Sequence, residues 1–423
     1  MAKFADYRPH LPGPEHSRIA GEDAETHTRG RLALPRAARL FQQWGELVKQ
    51  PFRGVTTDGV TVSGLYGLRD EGAPTADMAE KTAQLLTALT PVERERGSHD
   101  VDSPLWRMWQ NTEMFVETHG LRLEHLTAAK RDMVLAVLRA SLSSGGYDTA
   151  IGAMQLNGFL GSLIGAPEVL GEWSYNFCLF GQPSLSEPWG WQLWGHHLAI
   201  SCLVIGGQMV LTPCFVGAEI CYADEGPYKG VTLFQDEERL GLDLFNALAP
   251  RDQSAARVGF DLAGSDLPEG RVHFADYLTL GGAHQDNRIV PMEGARVDRF
   301  SAAQRSALLD LVNAYVGALP DGPRQAKMED VERHLADTHF CWIGGNGPND
   351  PFYYRVQSPV VFIEFDHHPG LFLTNDTPKK FHVHTVVRSP NGNDYGKDVL
   401  RQHYANSDDH KHSHGHDHGH SHD

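Results

Sequence analysis

Three short stretches carry histidines and carboxylates at spacings that suit metal chemistry. His382-Val383-His384 lies in a β-branched run. On a strand the period of two puts both imidazoles on one face, about 7 Å apart, within reach of a shared ion. Glu364-Phe365-Asp366 is a second same-face pair, followed directly by His367 and His368. Between the two stretches, Pro369-Gly370 and Asn375-Asp376-Thr377-Pro378 are turn formers. Antiparallel pairing across that loop would carry Glu364 or Asp366 towards the histidines. Two histidines and a carboxylate hold Zn²⁺ or Fe²⁺ with positions left open for water or substrate. The third stretch is Trp194-Gly195-His196-His197-Leu198. Neighbours on a strand point to opposite faces, so one of His196 and His197 is expected at a shared site, unless a bulge at Gly195 turns both inward. The candidate ligands are therefore His196, His197, Glu364, His382 and His384, with Asp366 the candidate general base. Arg355 and Arg388 flank the same strands and are candidates to anchor a substrate carboxylate. Each stretch alone also fits a solvated polar face, and it is their shared placement among apolar residues that favours metal.

The chain contains 24 histidines, and seven of them (His410, His412, His414, His416, His418, His420 and His422) alternate with small or charged residues at the end. This tail, 405–423, is read as a disordered metal-binding composition without a preorganised site.

Helical and strand patterns divide the chain. Residues 1–30 read as an irregular polar arm. Pro35 opens a helix in which Leu40, Phe41, Trp44 and Leu47 recur at helical spacing, and Val48 lies near its end. Helices are also predicted over 74–89, 127–142 (N-capped by Thr127) and 148–164, and a hairpin over 54–62 around Asp58-Gly59. From about 171 the chain reads as strands: 173–180, one long run 189–205, 209–216, 360–366 and 381–388. Helices interrupt at 236–248, at about 301–319 with Ser301 and Gln304 as capping box, and at about 324–337. Strands and helices do not alternate regularly, so the expected class is α+β: a helical part, about 31–170, and a mostly antiparallel, sheet-rich part, about 171–404, in one domain.

Composition narrows the function. With 37 basic against 54 acidic residues the formal charge is −17, which repels nucleic acid, and no apolar run is long enough to span a bilayer. The first residues carry no signal-peptide core, so a cytoplasmic protein is expected. Five cysteines without a Cys-x-x-Cys pair fit reduced core thiols. No P-loop, dinucleotide fingerprint, Gly-x-Ser-x-Gly or His-Glu-x-x-His is present.

Several long strings resemble the domain-of-unknown-function family numbered thirty-five hundred, found in bacteria and fungi. They include Pro51-Phe-Arg-Gly-Val-Thr-Thr-Asp-Gly, Gly171-Glu-Trp-Ser-Tyr-Asn-Phe and Glu187-Pro-Trp-Gly-Trp-Gln-Leu-Trp-Gly-His-His-Leu. Gln285-Asp-Asn-Arg, Asp350-Pro-Phe-Tyr-Tyr-Arg, Ile363-Glu-Phe-Asp-His and His382-Val-His-Thr-Val-Val-Arg-Ser-Pro-Asn-Gly continue it. The resemblance spans about 51–404 and implies that His196, His197, Glu364, Asp366, His382 and His384 occupy motif positions. It implies no activity. The residues themselves favour a metal-dependent hydrolase of a small organic substrate that carries a carboxylate, with zinc the preferred divalent ion. An iron or copper oxygenase on the same ligands is the alternative, and a non-catalytic metal handler acting through the tail is a third reading.

Overall fold

The computed structural model describes residues 6–13, 19, 21–116 and 119–407. The tail histidines and most of the first twenty residues lie outside the described residues.

Eight strands of five residues or more form the body of one sheet: β1 (Tyr175–Phe180), β2 (Trp189–Gly195), β3 (Leu198–Ile205), β4 (Cys214–Ala218), β5 (His339–Gly344), β6 (Phe352–Gln357), β7 (Phe362–His368) and β8 (Lys379–Arg388). Their spatial order is β1-β2-β3-β4-β8-β7-β6-β5, every adjacent pair antiparallel. Two four-strand meanders thus meet where β4 pairs with β8. Short edge strands complete a thirteen-stranded sheet, and those at Ser98–His99 and Arg257–Gly259 pair in parallel. Nearly every residue of the long strands is buried, because helices and loops cover both faces. That is why these strands read as continuous apolar runs rather than alternating ones.

The first half is helical, as expected for residues beyond 31. α1 (Ala24–Leu32), α2 (Pro35–Val48), α3 (Thr75–Ala88), α4 (Ala128–Ser141) and α5 (Ser144–Leu163) precede the first long strand. Thr127 caps α4 by accepting the Lys130 N–H, and Ser301 and Gln304 form the reciprocal box that starts the helix Ala302–Val316. The main apolar cluster runs from Trp44 and Met78 through Leu138 and Phe177 to Val386, and a small second one gathers Leu262, Leu278, Cys341, Ile343 and Tyr353.

Four local expectations differ from the structure. α1 emerges from the stretch read as irregular; Asp23 caps it through the Thr26 N–H, but its face carries only His27 and Thr28 inward, so no apolar period announced it. The hairpin at 54–62 does not form: Thr56 makes one isolated parallel bridge to Ile289 instead. The run 189–205 is two strands, broken at His196-His197. β5 and β6 were not anticipated, because their aromatic and charged residues mask the strand period.

Candidate metal centre

The register of three neighbouring strands assembles the site. Asp366 on β7 faces His384 on β8, and His384 in turn faces Gly217 on β4. Period two then puts His382 on the same face as His384, and His368 on the same face as Asp366, beyond a register shift at His367/His368. Gly217 is required by this crowding. A Cβ there would lie 2.8 Å from the Val383 carbonyl oxygen, 3.0 Å from the His384 ring and 3.2 Å from the His197 ring.

His197 arrives from the turn between β2 and β3. Its φ is +60°, a left-handed conformation that costs a non-glycine residue about 1 kcal/mol or more. Two hydrogen bonds hold it there: its N–H donates to the Asn111 carbonyl at 3.3 Å, and its carbonyl accepts the Gly217 N–H at 2.7 Å. Strand alternation therefore does not decide which of His196 and His197 reaches the shared site, and it is His197 alone that joins the close group. Both are turn residues, both are buried, and their ring centroids lie 3.9 Å apart.

The convergence is tight. His197 Nε2 lies 3.0 Å from His384 Nε2, which lies 3.2 Å from His382 Nε2. Those three residues are the one group of potential ligands this close among the described residues. Nitrogens bound at about 2.0–2.1 Å around a tetrahedral ion sit roughly 3.3 Å apart, so the two pairs that share His384 already have the spacing of edges of such a polyhedron, and all three ligand atoms lie within 4.8 Å of one another. Burial, followed by repulsion from the neighbouring histidines, holds all three rings well below the usual imidazole pKa. They are neutral at physiological pH, the form in which imidazole binds a metal. The residues present fit a three-nitrogen site.

His196 stands beside this triad and outside it. Its Nδ1 lies 2.7 Å from Asn157 Oδ1 on α5, and burial pushes its pKa down to about 4, against a weaker opposing pull from Glu113. Asp366, the candidate general base, is within 3.0 Å of His368 Nδ1 through its Oδ2. The carboxylate thus fixes the His368 ring, whose centroid is 4.1 Å from that of His384 and 5.1 Å from that of His382. Tyr277 packs edge-on against His368, with ring centroids 4.8 Å apart. His368 is the functional candidate the sequence reading left out. Extending the period from Glu364 and Asp366 by one step would have found it.

Three candidates lie elsewhere. Glu364 accepts the Leu280 and Gly281 N–H groups and, at 2.5 Å, the Tyr353 hydroxyl, so it anchors a loop and is not a ligand in this geometry. Arg355 is engaged with Glu293 and the Pro291 carbonyl. Arg388 is wholly buried between Asp286 and Asp394 and donates to the Gly281 and Gly282 carbonyls. Glu364 and Arg388 lie on strands the sequence predicts and Arg355 on one it does not, and in all three tertiary partners absorb the charge. His367 points to the opposite face and pairs with Glu238.

The triad opens into a cleft of about 350 Å³. Its sheet wall holds His196, His197, His368, His382 and His384; the facing wall comes from α1 and α2, with Arg31, Leu40 and Trp44, and from the 111–114 segment. Arg31, 3.5 Å from Glu113, is a guanidinium that lines this space, which neither Arg355 nor Arg388 does. No helix among the described residues is long and apolar enough to cross a membrane. All five cysteines are free, and four of them are buried.

Comparison with known proteins adds a family and no chemistry. The family model described as Protein of unknown function (DUF3500) matches residues 71–397, well over half of the chain, and the chain belongs to that family. No curated protein and no solved structure matches.

Proposed function

We propose that this member of the family is a mononuclear metal-dependent hydrolase of small carbonyl compounds, with His197, His382 and His384 as ligands and zinc as the favoured ion. The observation that carries the reading is the contact of three buried, neutral Nε2 atoms at the floor of a cleft, beside a histidine oriented by a carboxylate. A bound Zn²⁺ would polarise the scissile carbonyl and acidify the attacking water. The protein supplies the rest. With Nδ1 held by Asp366, His368 presents Nε2 as the base that takes a proton from water as the new C–O bond forms. The same nitrogen returns the proton to the leaving group when its bond to the carbonyl carbon breaks. Leu40 and Trp44 exclude bulk water from the apolar side, and Arg31 offers charge for a substrate carboxylate.

The oxygenase alternative is weakened in its iron form. A two-histidine, one-carboxylate site needs Glu364 or Asp366 against the imidazoles, but Glu364 is engaged with Tyr353, Asp366 holds His368 through Oδ2, and no carboxylate joins the close group of His197, His382 and His384 among the described residues. A three-histidine oxygenase stays open as the second reading. The metal-handling reading rests on a tail outside the described residues.

The test is His368→Gln in zinc-loaded protein assayed with activated acyl esters and anilides. The reading expects a loss of about 10²- to 10⁴-fold in turnover with zinc content unchanged. Unaltered turnover, or no His382-dependent hydrolysis of any acyl substrate, would refute it.

A further inference from the structure

The cleft holds a second unused feature besides the triad. Asn157 donates from Nδ2 to the Gly171 carbonyl at 2.8 Å, which fixes its amide and turns Oδ1 towards His196. His196 must therefore donate from Nδ1, and Nε2 is left as a bare lone pair. That atom is buried and has no hydrogen-bond partner, while the ring lines the cleft next to His197. Asn111 Oδ1, also buried and without a donor, lies in the same wall, and the Asn111 backbone carbonyl holds the His197 N–H. Two acceptors beside a ligand histidine leave an energetic debt that a hydrogen-bond donor on the substrate would settle.

We propose that His196 Nε2 receives an N–H adjacent to the substrate's reacting carbonyl, so that the site selects carboxamides over esters. The inference rests on the hydrolase reading and adds the substrate class to it. An ester places only an oxygen at that position, against a lone pair. A secondary or primary amide places a proton there. In hydrolysis the C–N bond breaks, water supplies the new C–O bond, and the amine leaves with the proton carried by His368. His196 takes no proton in this sequence. It is a specificity residue.

The experiment uses the full chain loaded with Co²⁺ and follows visible absorption on titration with acetohydroxamate and with N-methylacetohydroxamate, which lacks the N–H. His382→Ala protein gives the background from other bound cobalt. Wild type should bind the N–H probe about tenfold more tightly or better. His196→Phe should bring the two affinities within about twofold while keeping the His382-dependent cobalt signal, and His196→Gln, which keeps an acceptor, should restore part of the preference. Equal affinities in wild type, or an undiminished preference in His196→Phe, would overturn the inference and leave the metal site standing. If the phenylalanine variant does not fold, the wild-type comparison and the glutamine variant decide. Absence of any His382-dependent cobalt signal would instead remove the metal reading on which the inference rests.

Discussion

Glu364 shows how a residue of the right type on the right face can belong to another task. It lies two positions from Asp366 on the face shared with the triad, yet Leu280, Gly281 and Tyr353 all donate to it. Glu364→Gln should therefore weaken the fold by about 2 kcal/mol, the worth of charge-assisted bonds made neutral, and leave metal content untouched. Urea unfolding and metal analysis of the same preparation check this. Loss of metal with unchanged stability would return Glu364 to the ligand set. The sequence made Asp366, His382 and His384 legible because strand periodicity is local. Nothing local tells whether a guanidinium such as Arg388 will meet a substrate or two buried aspartates. Asn157, which fixes the His196 tautomer, is some forty positions from its partner and gave no signal.

At the level of elements, the site depends on the seam where β4 meets β8. Gly217 is the one position on β4 that lets the rings of His197 and His384 pass. Gly217→Ala should lower metal affinity about 10- to 100-fold, as displaced ligand supports do, while the strand pairing persists. A competition titration against a chromophoric chelator reads the affinity, and an unchanged value would mean that the rings do not meet at that seam. Strand existence was largely readable, since the β-branched and aromatic runs of β1, β3, β7 and β8 stand out. The break at His196-His197 was not. A left-handed histidine is uncommon, and only the Asn111 and Gly217 hydrogen bonds make it tenable. The long apolar run therefore looked like one strand, and the turn that delivers a ligand was hidden inside it.

For the whole molecule, the α+β class and the antiparallel sheet followed from the unequal spread of helix and strand patterns, whereas the joining of two meanders into one sheet required contacts between residues more than 160 apart. The same assembly buries charges far from the cleft. Lys327, between Tyr66 and Asp330, donates to the Val360 carbonyl, and burial pushes its pKa down from 10.5 to about 8. The folded chain then releases this proton before the unfolded chain does. Between about pH 8 and 10.5 the unfolded state binds more protons, and the stability contribution rises with pH by up to about 3 kcal/mol. The difference in urea midpoint between wild type and Lys327→Met should move in favour of wild type across that window; parallel curves would show that the lysine keeps its ordinary pKa. A metal held by three histidines is tested by elemental analysis of untagged protein ending at Ser407, which retains the last helix and omits the histidine-rich tail. About one equivalent of metal per chain is expected, lost in each of His197→Ala, His382→Ala and His384→Ala. Folded protein that holds no metal and takes up none on addition of zinc, iron or copper would contradict it.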